Sequence, residues 1–189
     1  MTWTSPPTFI AGTALTAAQL NTFLRDNLNQ TAPARATATG RLFVSTGAHT
    51  IAERPISAAS IGTFESTSAS AFADLLTVGP SISLTTGAQA VVIMATNMKP
   101  QTTVSSGRGA CAASFTVTGA TTIAANEDRQ LRYSAISASD TGTRRSSVHW
   151  ISNLAAGVNV FTMKYAVRSD SDGSSTGLFG NRTLIVVAV

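Results

Sequence analysis

The histidines and the cysteine are the side chains of this sequence best suited to metal binding or nucleophilic catalysis. His49 and His149 lie far apart, and neither has a partner at the H-x-H or H-x-x-x-H spacing typical of metal sites. His149, beside Trp150 in a predicted strand, is expected to be a hydrogen-bonded sheet residue. Cys111, the single cysteine, lies in an alternating apolar segment at 111–117, which predicts a buried side chain rather than a nucleophile. We therefore expect no metal site, no disulfide within the chain and no reactive thiol.

Acidic residues form two further patterns. Residues 170–175, Asp-Ser-Asp-Gly-Ser-Ser, resemble the opening of a calcium loop, in which oxygen ligands alternate around a glycine turn. The segment lacks the third acidic position and the closing glutamate, so a hairpin loop is the main prediction and calcium binding at Asp170 and Asp172 is the alternative. Glu127 and Asp128 are adjacent, whereas glycosidase carboxylates face each other across a cleft. A solvated turn is therefore expected there.

Motifs of other enzyme classes are missing from the sequence. It has no G-x-S-x-G elbow and no glycine-rich phosphate loop before a helix. We therefore predict that the protein is not an enzyme and uses no cofactor.

Charge and composition limit the partners. The net charge of +4 is carried mostly by arginine, and charged residues make up 12% of the chain, about half the usual share. A surface this poor in charge suits packed arrays of neighbouring molecules. The densest basic cluster is too sparse and too poor in aromatic residues to predict nucleic-acid binding. Its members are Arg129, Arg132, Arg144 and Arg145.

The sequence shows no targeting or membrane segment. The N-terminus has no basic region followed by an apolar one, and no apolar run approaches the roughly 20 residues that span a bilayer. We expect no signal peptide and no contact with membranes, and we expect the protein to stay in a cytosol or to be released from it by lysis.

The first thirty residues stand apart from the rest. Pro6, Pro7 and Gly12 predict an extended, non-helical lead-in over 1–14. An irregular segment buries large apolar side chains poorly, so those of the lead-in are expected to dock on another surface. Folding back onto the chain's own β domain is the alternative. The apolar residues in question are Trp3, Phe9 and Ile10.

A short amphipathic helix is predicted to follow. Thr16 and Gln19 form a capping box, and Leu15 and Leu20 occupy the positions of a hydrophobic staple. Helical spacing then places a narrow apolar stripe on one face, interrupted by Asn27, and the helix should end before Pro33. The predicted docking residues of this arm are Trp3, Phe9, Ile10, Leu15, Leu20, Phe23, Leu24 and Leu28.

The remaining sequence predicts an all-β domain at 40–189, joined to the arm (1–30) by a small-residue linker at 31–39. Residues 41–45 and 49–54 predict a hairpin that ends at Pro55. Later strands are predicted near 63–68, 71–77, 80–85, 88–98, 110–118, 129–138, 146–152, 158–168 and 182–189. The apolar run 88–98 predicts a strand covered on both faces, and 158–168 alternates cleanly. These patterns predict an antiparallel β-sandwich of jelly-roll type.

The opening residues also carry a resemblance. The sequence has Trp at position 3, PTFIAGT at 7–13, LTAAQLN at 15–21 and RDNL at 25–28. This run, about a sixth of the chain, resembles a leader shared by virion proteins of tailed phages that mostly infect high-GC Gram-positive bacteria. The rest is similar to the β-sandwich modules that such proteins carry. The resemblance implies a structural protein with no active site.

These observations together predict a non-enzymatic structural protein of a tailed-phage virion, assembled in the host cytoplasm. The expected form is a homotrimer whose arm docks on the major capsid or tail protein and whose β-sandwich is displayed on the particle. Fibre-type relatives continue much further than this chain, which favours a compact particle component over a receptor-binding protein. Capsid decoration is the preferred role. A minor tail protein and a receptor-binding protein for host-surface glycan are the alternatives, and a depolymerase is the least favoured reading.

Overall fold

The structure, a computed structural model, describes residues 3–102, 109–135, 141–168 and 175–189. The chain forms two compact units, Met1–Pro55 and Ile56–Val189. The predicted division into an arm, a linker and a β domain that starts at residue 40 stays a prediction. No helix among the described residues is long and apolar enough to cross a membrane.

The first unit contains the predicted helix. It begins as α1 (Ala17–Leu20), continues through a π-helical turn at Asn21–Arg25 and ends as α2 (Asp26–Leu28). The backbone N–H of Gln19 donates to the Thr16 hydroxyl over 3.2 Å, and the N–H of Thr16 donates to the Gln19 side chain over 2.9 Å. The predicted capping box is therefore confirmed. The helix ends before Pro33 as expected, but the predicted linker contains a one-turn helix, α3 (Ala32–Arg35), whose first turn tolerates a proline.

The predicted hairpin follows the helices. Strands β1 (Arg41–Gly47) and β2 (Thr50–Ile61) pair antiparallel from Gly47 opposite Thr50 to Arg41 opposite Pro55. The pairing with β1 ends at Pro55, as predicted. The strand itself does not end there, because β2 continues to Ile61 and pairs with the last strand of the chain. A proline, which has no N–H, thus lies where the strand changes partners.

The other strands complete two antiparallel sheets. Within the described residues they are β3 (Glu65–Thr67), β4 (Ser81–Thr86), β5 (Ala90–Thr102), β6 (Gly109–Gly119), β7 (Leu131–Ala135), β8 (Thr143–Ile151), β9 (Gly157–Arg168) and β10 (Ser175–Ala188). The larger sheet has the order β1-β2-β10-β5-β8, with β3 also paired to β10, and the smaller sheet has the order β4-β9-β6-β7. The predicted antiparallel β-sandwich with one short helix before it is confirmed.

Two strand predictions need correction. Residues 71–77 form no strand, and only Ala73 in that segment bridges to Tyr165 of β9. The predicted strand 129–138 is reduced to β7, which a short helical turn at Glu127–Arg129 precedes, and residues 136–138 lie outside the described part of the chain.

The core lies between the facing sheets of the second unit. The alternation predicted for β9 is confirmed, because Phe161, Met163 and Tyr165 are fully buried while their neighbours Thr162 and Lys164 are half-buried. Facing residues of β5, β6 and β10 complete the core. They include Val92, Met94, Phe115, Val117, Phe179, Leu184 and Val186.

The strand covered on both faces is β6, not β5. Residues 109–115 of β6 are all buried, because the segment after the strand folds over its outer side. There the hydroxyl of Ser114 donates to the carbonyl of Asn126 over 3.1 Å. In β5 only one face is buried, and Val91 and Ile93 on the other face are half-buried. The prediction of double coverage for 88–98 was wrong, because an apolar run does not reveal which face a neighbouring segment covers.

Candidate interaction surfaces

The side chains with catalytic potential occupy structural positions. Cys111 is fully buried, and burial raises the pKa of its thiol to about 12. His149 packs on the ring of Phe115 at 5.8 Å, and its Nε2 lies 3.0 Å from the Ser147 hydroxyl. Burial, together with the charge of Arg129, lowers the pKa of His149. His149 is therefore a hydrogen-bonded sheet residue, as predicted.

Acidic residues do not converge in the parts of the chain that the structure describes. Those parts contain no group of three or more His, Cys, Asp or Glu residues that could hold a metal ion. Glu127 and Asp128 lie in a one-turn helix, where a turn was predicted. Nη2 of Arg168 lies 3.4 Å from Oε1 of Glu127. The loop with Asp170 and Asp172, where calcium was the alternative prediction, lies outside the described residues.

The lead-in is fixed to the helix by Asn27, a residue that sequence reasoning treated only as a gap in the apolar stripe. Asn27 is 3% exposed. Its Oδ1 accepts the backbone N–H of Thr4 over 2.9 Å, and its Nδ2 donates to the carbonyls of Thr4 at 2.8 Å and Phe23 at 3.1 Å. One amide thus satisfies both backbone groups of an extended residue. A polar residue inside an apolar helical stripe was the signal that could have revealed this clamp.

Replacing Asn27 by alanine should release the lead-in from the helix, because both backbone groups of Thr4 lose their partners and each such hydrogen bond contributes about 1 kcal/mol. Hydrogen exchange of the Thr4 amide should become at least about tenfold faster. Asn29→Ala is the matched control, since Asn29 is an exposed asparagine at the C-cap of the same helix. Equal protection of Thr4 in both variants would contradict the clamp.

The lead-in and the helix enclose an apolar groove of about 190 Å³. The two residues predicted to form a hydrophobic staple, Leu15 and Leu20, both line it. The other residues that line it are Pro6, Phe9, Gln19, Phe23 and Leu24.

Seven of the eight predicted docking residues are exposed. They range from Trp3 at 39% to Ile10 at 74%, whereas Phe23 is half-buried. The helix turns Phe23 and Asn27 toward the lead-in and presents Leu20, Leu24 and Leu28 to solvent. The docking role of these residues stays a prediction, and the exposed row of leucines is the surface on which it depends.

A second apolar surface lies on the outer face of the larger sheet. Val148 and Trp150 of β8 are 67% and 57% exposed, and Ile56 of β2 is 45% exposed. Strand register aligns Trp150, Val91, Val187 and Ile56 in one row across four strands. The next row contains Val148, Ile93, Ile185 and Ala58. We call these two rows the outer apolar face.

The sequence analysis predicted a strand near 146–152 but did not predict which of its side chains face solvent. The strand alternates: Val148 and Trp150 point outward while Ser147 and His149 lie on the core side. The pairing register with β5 decides this, since His149 lies opposite buried Val92.

The second unit also contains a buried charge. Arg182 of β10 is fully buried, and its Nη2 lies 3.1 Å from a Glu65 carboxylate oxygen. Its guanidinium also donates to the Thr77 carbonyl at 3.3 Å and the Thr63 hydroxyl at 3.2 Å. The Thr77 hydroxyl, which donates to Glu65 over 2.5 Å, lowers the pKa of this carboxyl, and the charge of Arg182 acts in the same direction.

Tyr165 completes this cluster. The guanidinium of Arg182 lies 5.5 Å from the centre of its ring, and the tyrosine hydroxyl donates to the Gly79 carbonyl over 2.8 Å. Burial raises the pKa of Tyr165, although the charge of Arg182 opposes this shift. The cluster joins the segment between β2 and β4 to the two sheets, which is a structural role.

The fold defines the class of protein as an antiparallel β-sandwich, and both of its units expose apolar side chains. No protein-family model matches the chain, and no curated protein matches it. Among solved structures, the chain is similar to one of infectious bursal disease virus, Gx strain, with a TM-score of 0.34 and 10% identity; the match covers 76% of this chain and 40% of that one. It is also similar to Desmodium yellow mottle tymovirus, with a TM-score of 0.26, 10% identity and 81% and 96% of the two chains covered. At these scores neither likeness identifies a family or a function.

Proposed function

We propose that this protein is a non-enzymatic structural component of a tailed-phage particle, which residues 1–30 anchor to the particle and whose β-sandwich is displayed on the surface. The observation that carries the proposal is the exposed row of Leu20, Leu24 and Leu28 on a helix that the lead-in braces through Asn27. The resemblance of the same residues to a phage virion leader supports it.

The energetics of the exposed arm favour a docking role. Burying one leucine contributes about 1.5–3 kcal/mol, so the three leucines of the row supply several kcal/mol to an interface. Phe9 and Ile10, at 55% and 74% exposed, add further apolar surface. Because the Asn27 clamp orders the lead-in beforehand, less conformational entropy is lost on docking.

Capsid decoration is the form of this function that we favour, with the major capsid protein as the partner of the arm. The low charge of the chain, 12% of its residues, fits a surface surrounded by neighbouring molecules. A minor tail protein, docked in the same manner on a tail protein, is the alternative. Receptor binding to a host glycan is a second alternative, for which exposed Trp150 offers one stacking surface.

The test is incorporation of full-length variants into particles of the phage that encodes the chain. The triple variant Leu20→Ser, Leu24→Ser, Leu28→Ser should reduce the copies in purified particles to less than about a tenth, because the apolar contribution to docking is removed. Mass spectrometry of the particles measures the copy number. Immunogold labelling of the wild-type protein on heads supports decoration, and labelling on tails supports the alternative.

A matched control uses the polar side of the same helix. The control is the triple variant Thr22→Ser, Arg25→Ser, Asn29→Ser, which changes three exposed polar residues. It should leave the copy number in purified particles unchanged. Normal incorporation of the leucine variant, or equal loss in both variants, would contradict the proposed anchor.

A further inference from the structure

We propose that the outer apolar face binds the same face of a second copy of this chain. This proposal goes beyond the particle role, since it concerns a surface on the second unit that the arm residues do not form. It rests on the area, the charge and the shape of the face.

The area of the face is too large to be incidental. With Trp150, Val148 and Ile56 at 57%, 67% and 45% exposure, and the half-buried residues between them, it exposes on the order of 400 Å² of apolar surface. Contiguous patches of this size on a monomer commonly serve interactions. Pairing two such faces, with their flanking polar rows, buries on the order of 1,000 Å² in total, near the lower limit for a specific interface.

The charge and the shape of the face favour self-pairing. The two apolar rows contain no charged side chain, so two identical faces meet without repulsion. The next row is small and uncharged, with Ser146, Ala95, Thr183 and Ser60. Sheets pack face to face when both present such a surface, and identical patches meet about a two-fold axis.

A glycan is a poorer fit to this surface. Sugar recognition needs polar groups beside the aromatic ring that the sugar stacks on. The cross-strand neighbour of Trp150 is Val91, and the residues further along the row are Val187 and Ile56. The surroundings of Trp150 are thus those of an apolar protein interface.

Sedimentation equilibrium of the full-length protein tests the proposal. The full-length protein should sediment as a reversible monomer–dimer mixture whose dimer fraction rises with concentration. The double variant Val148→Ser, Trp150→Ser should weaken dimerisation by at least about 30-fold, because it removes the two most exposed apolar side chains of the face and tryptophan is among the residues that most often dominate an interface. Both side chains point to solvent, so circular dichroism should show an unchanged fold.

Val158→Ser is the matched control, because Val158 is 56% exposed on β9 of the other sheet, and it should leave the dissociation constant unchanged. The triple leucine variant of the arm should also dimerise normally. The dimer differs from the homotrimer expected from the sequence, and the measured mass distinguishes the two. A monomer at all concentrations or a three-copy mass would overturn the proposal. Dimerisation that is lost in the arm variant and kept in the Val148–Trp150 variant would also overturn it. Particle incorporation is measured separately, so failure of the anchor and failure of the dimer are distinguishable.

Discussion

Replacing Arg182 by alanine is expected to lower the free energy of unfolding by about 3–5 kcal/mol. The guanidinium is fully buried and binds Glu65, the Thr77 carbonyl and the Thr63 hydroxyl. Its removal leaves the Glu65 carboxylate without its counter-charge and opens a cavity beside the ring of Tyr165. Urea denaturation followed by fluorescence measures the change.

Arg144→Ala is the control for this variant. Arg144 is an exposed arginine of β8 whose hydrogen bond to the Asn181 carbonyl is long, at 3.4 Å, so its loss should change stability by less than about 0.5 kcal/mol. If the two variants were equally stable, the buried pair of Arg182 and Glu65 would contribute nothing to the free energy of unfolding. Other contacts would then hold the segment between β2 and β4.

The second large effect is expected for Gly119→Ala, which should lower the free energy of unfolding by about 2–4 kcal/mol. Gly119 ends β6 with φ at +102°, a conformation that costs an L side chain energy. A Cβ added there would also overlap the Val158 carbonyl oxygen, which belongs to the backbone of β9 and cannot rotate away. Thermal unfolding followed by circular dichroism measures the loss.

Gly62→Ala tests whether the effect is specific to this position. Gly62 has no positive φ, and the nearest atom to an added Cβ is 3.9 Å away, so the variant should be as stable as the wild type or slightly more stable. If Gly119→Ala were as stable as the wild type, the backbones of β6 and β9 would have to move apart at this end at little cost in free energy, and the proposed overlap would be wrong.

The two apolar surfaces lie on different units and suit different partners. The exposed leucine row belongs to a helix braced by a lead-in, a narrow feature that fits a groove or a seam on another protein. The outer apolar face is one side of a β-sheet, and such a surface can pack against a second sheet.

Local signals in the sequence predicted several elements correctly. The capping box at Thr16 depends only on residues three apart, so its geometry follows from spacing. The alternation at 158–168 predicted the buried residues of β9 for the same reason. The hairpin of β1 and β2 is likewise local, because its strands are separated by one short turn.

Predictions failed where contacts between distant segments decide the outcome. Residues 71–77 have the apolar content of a strand, yet their backbone pairs with β9 only through the bridge at Ala73, and Asp74 reaches Lys164 of β9 by its side chain. The run 88–98 predicted burial on both faces, but one face of β5 stays partly exposed, and β6 in the other sheet is the strand buried on both faces. Asn27 appeared as a defect in a stripe because its partner, Thr4, lies 23 residues away.

The sequence by itself determined the antiparallel sandwich, the capped helix and the candidate docking residues, because periodicity and capping act between near neighbours. Only the tertiary structure decided which side of β8 faces solvent, since a shift of register by one residue reverses every side chain of a strand. It likewise decided that Arg182 is buried, because the residues that bind its charge come from a segment more than a hundred positions earlier in the chain.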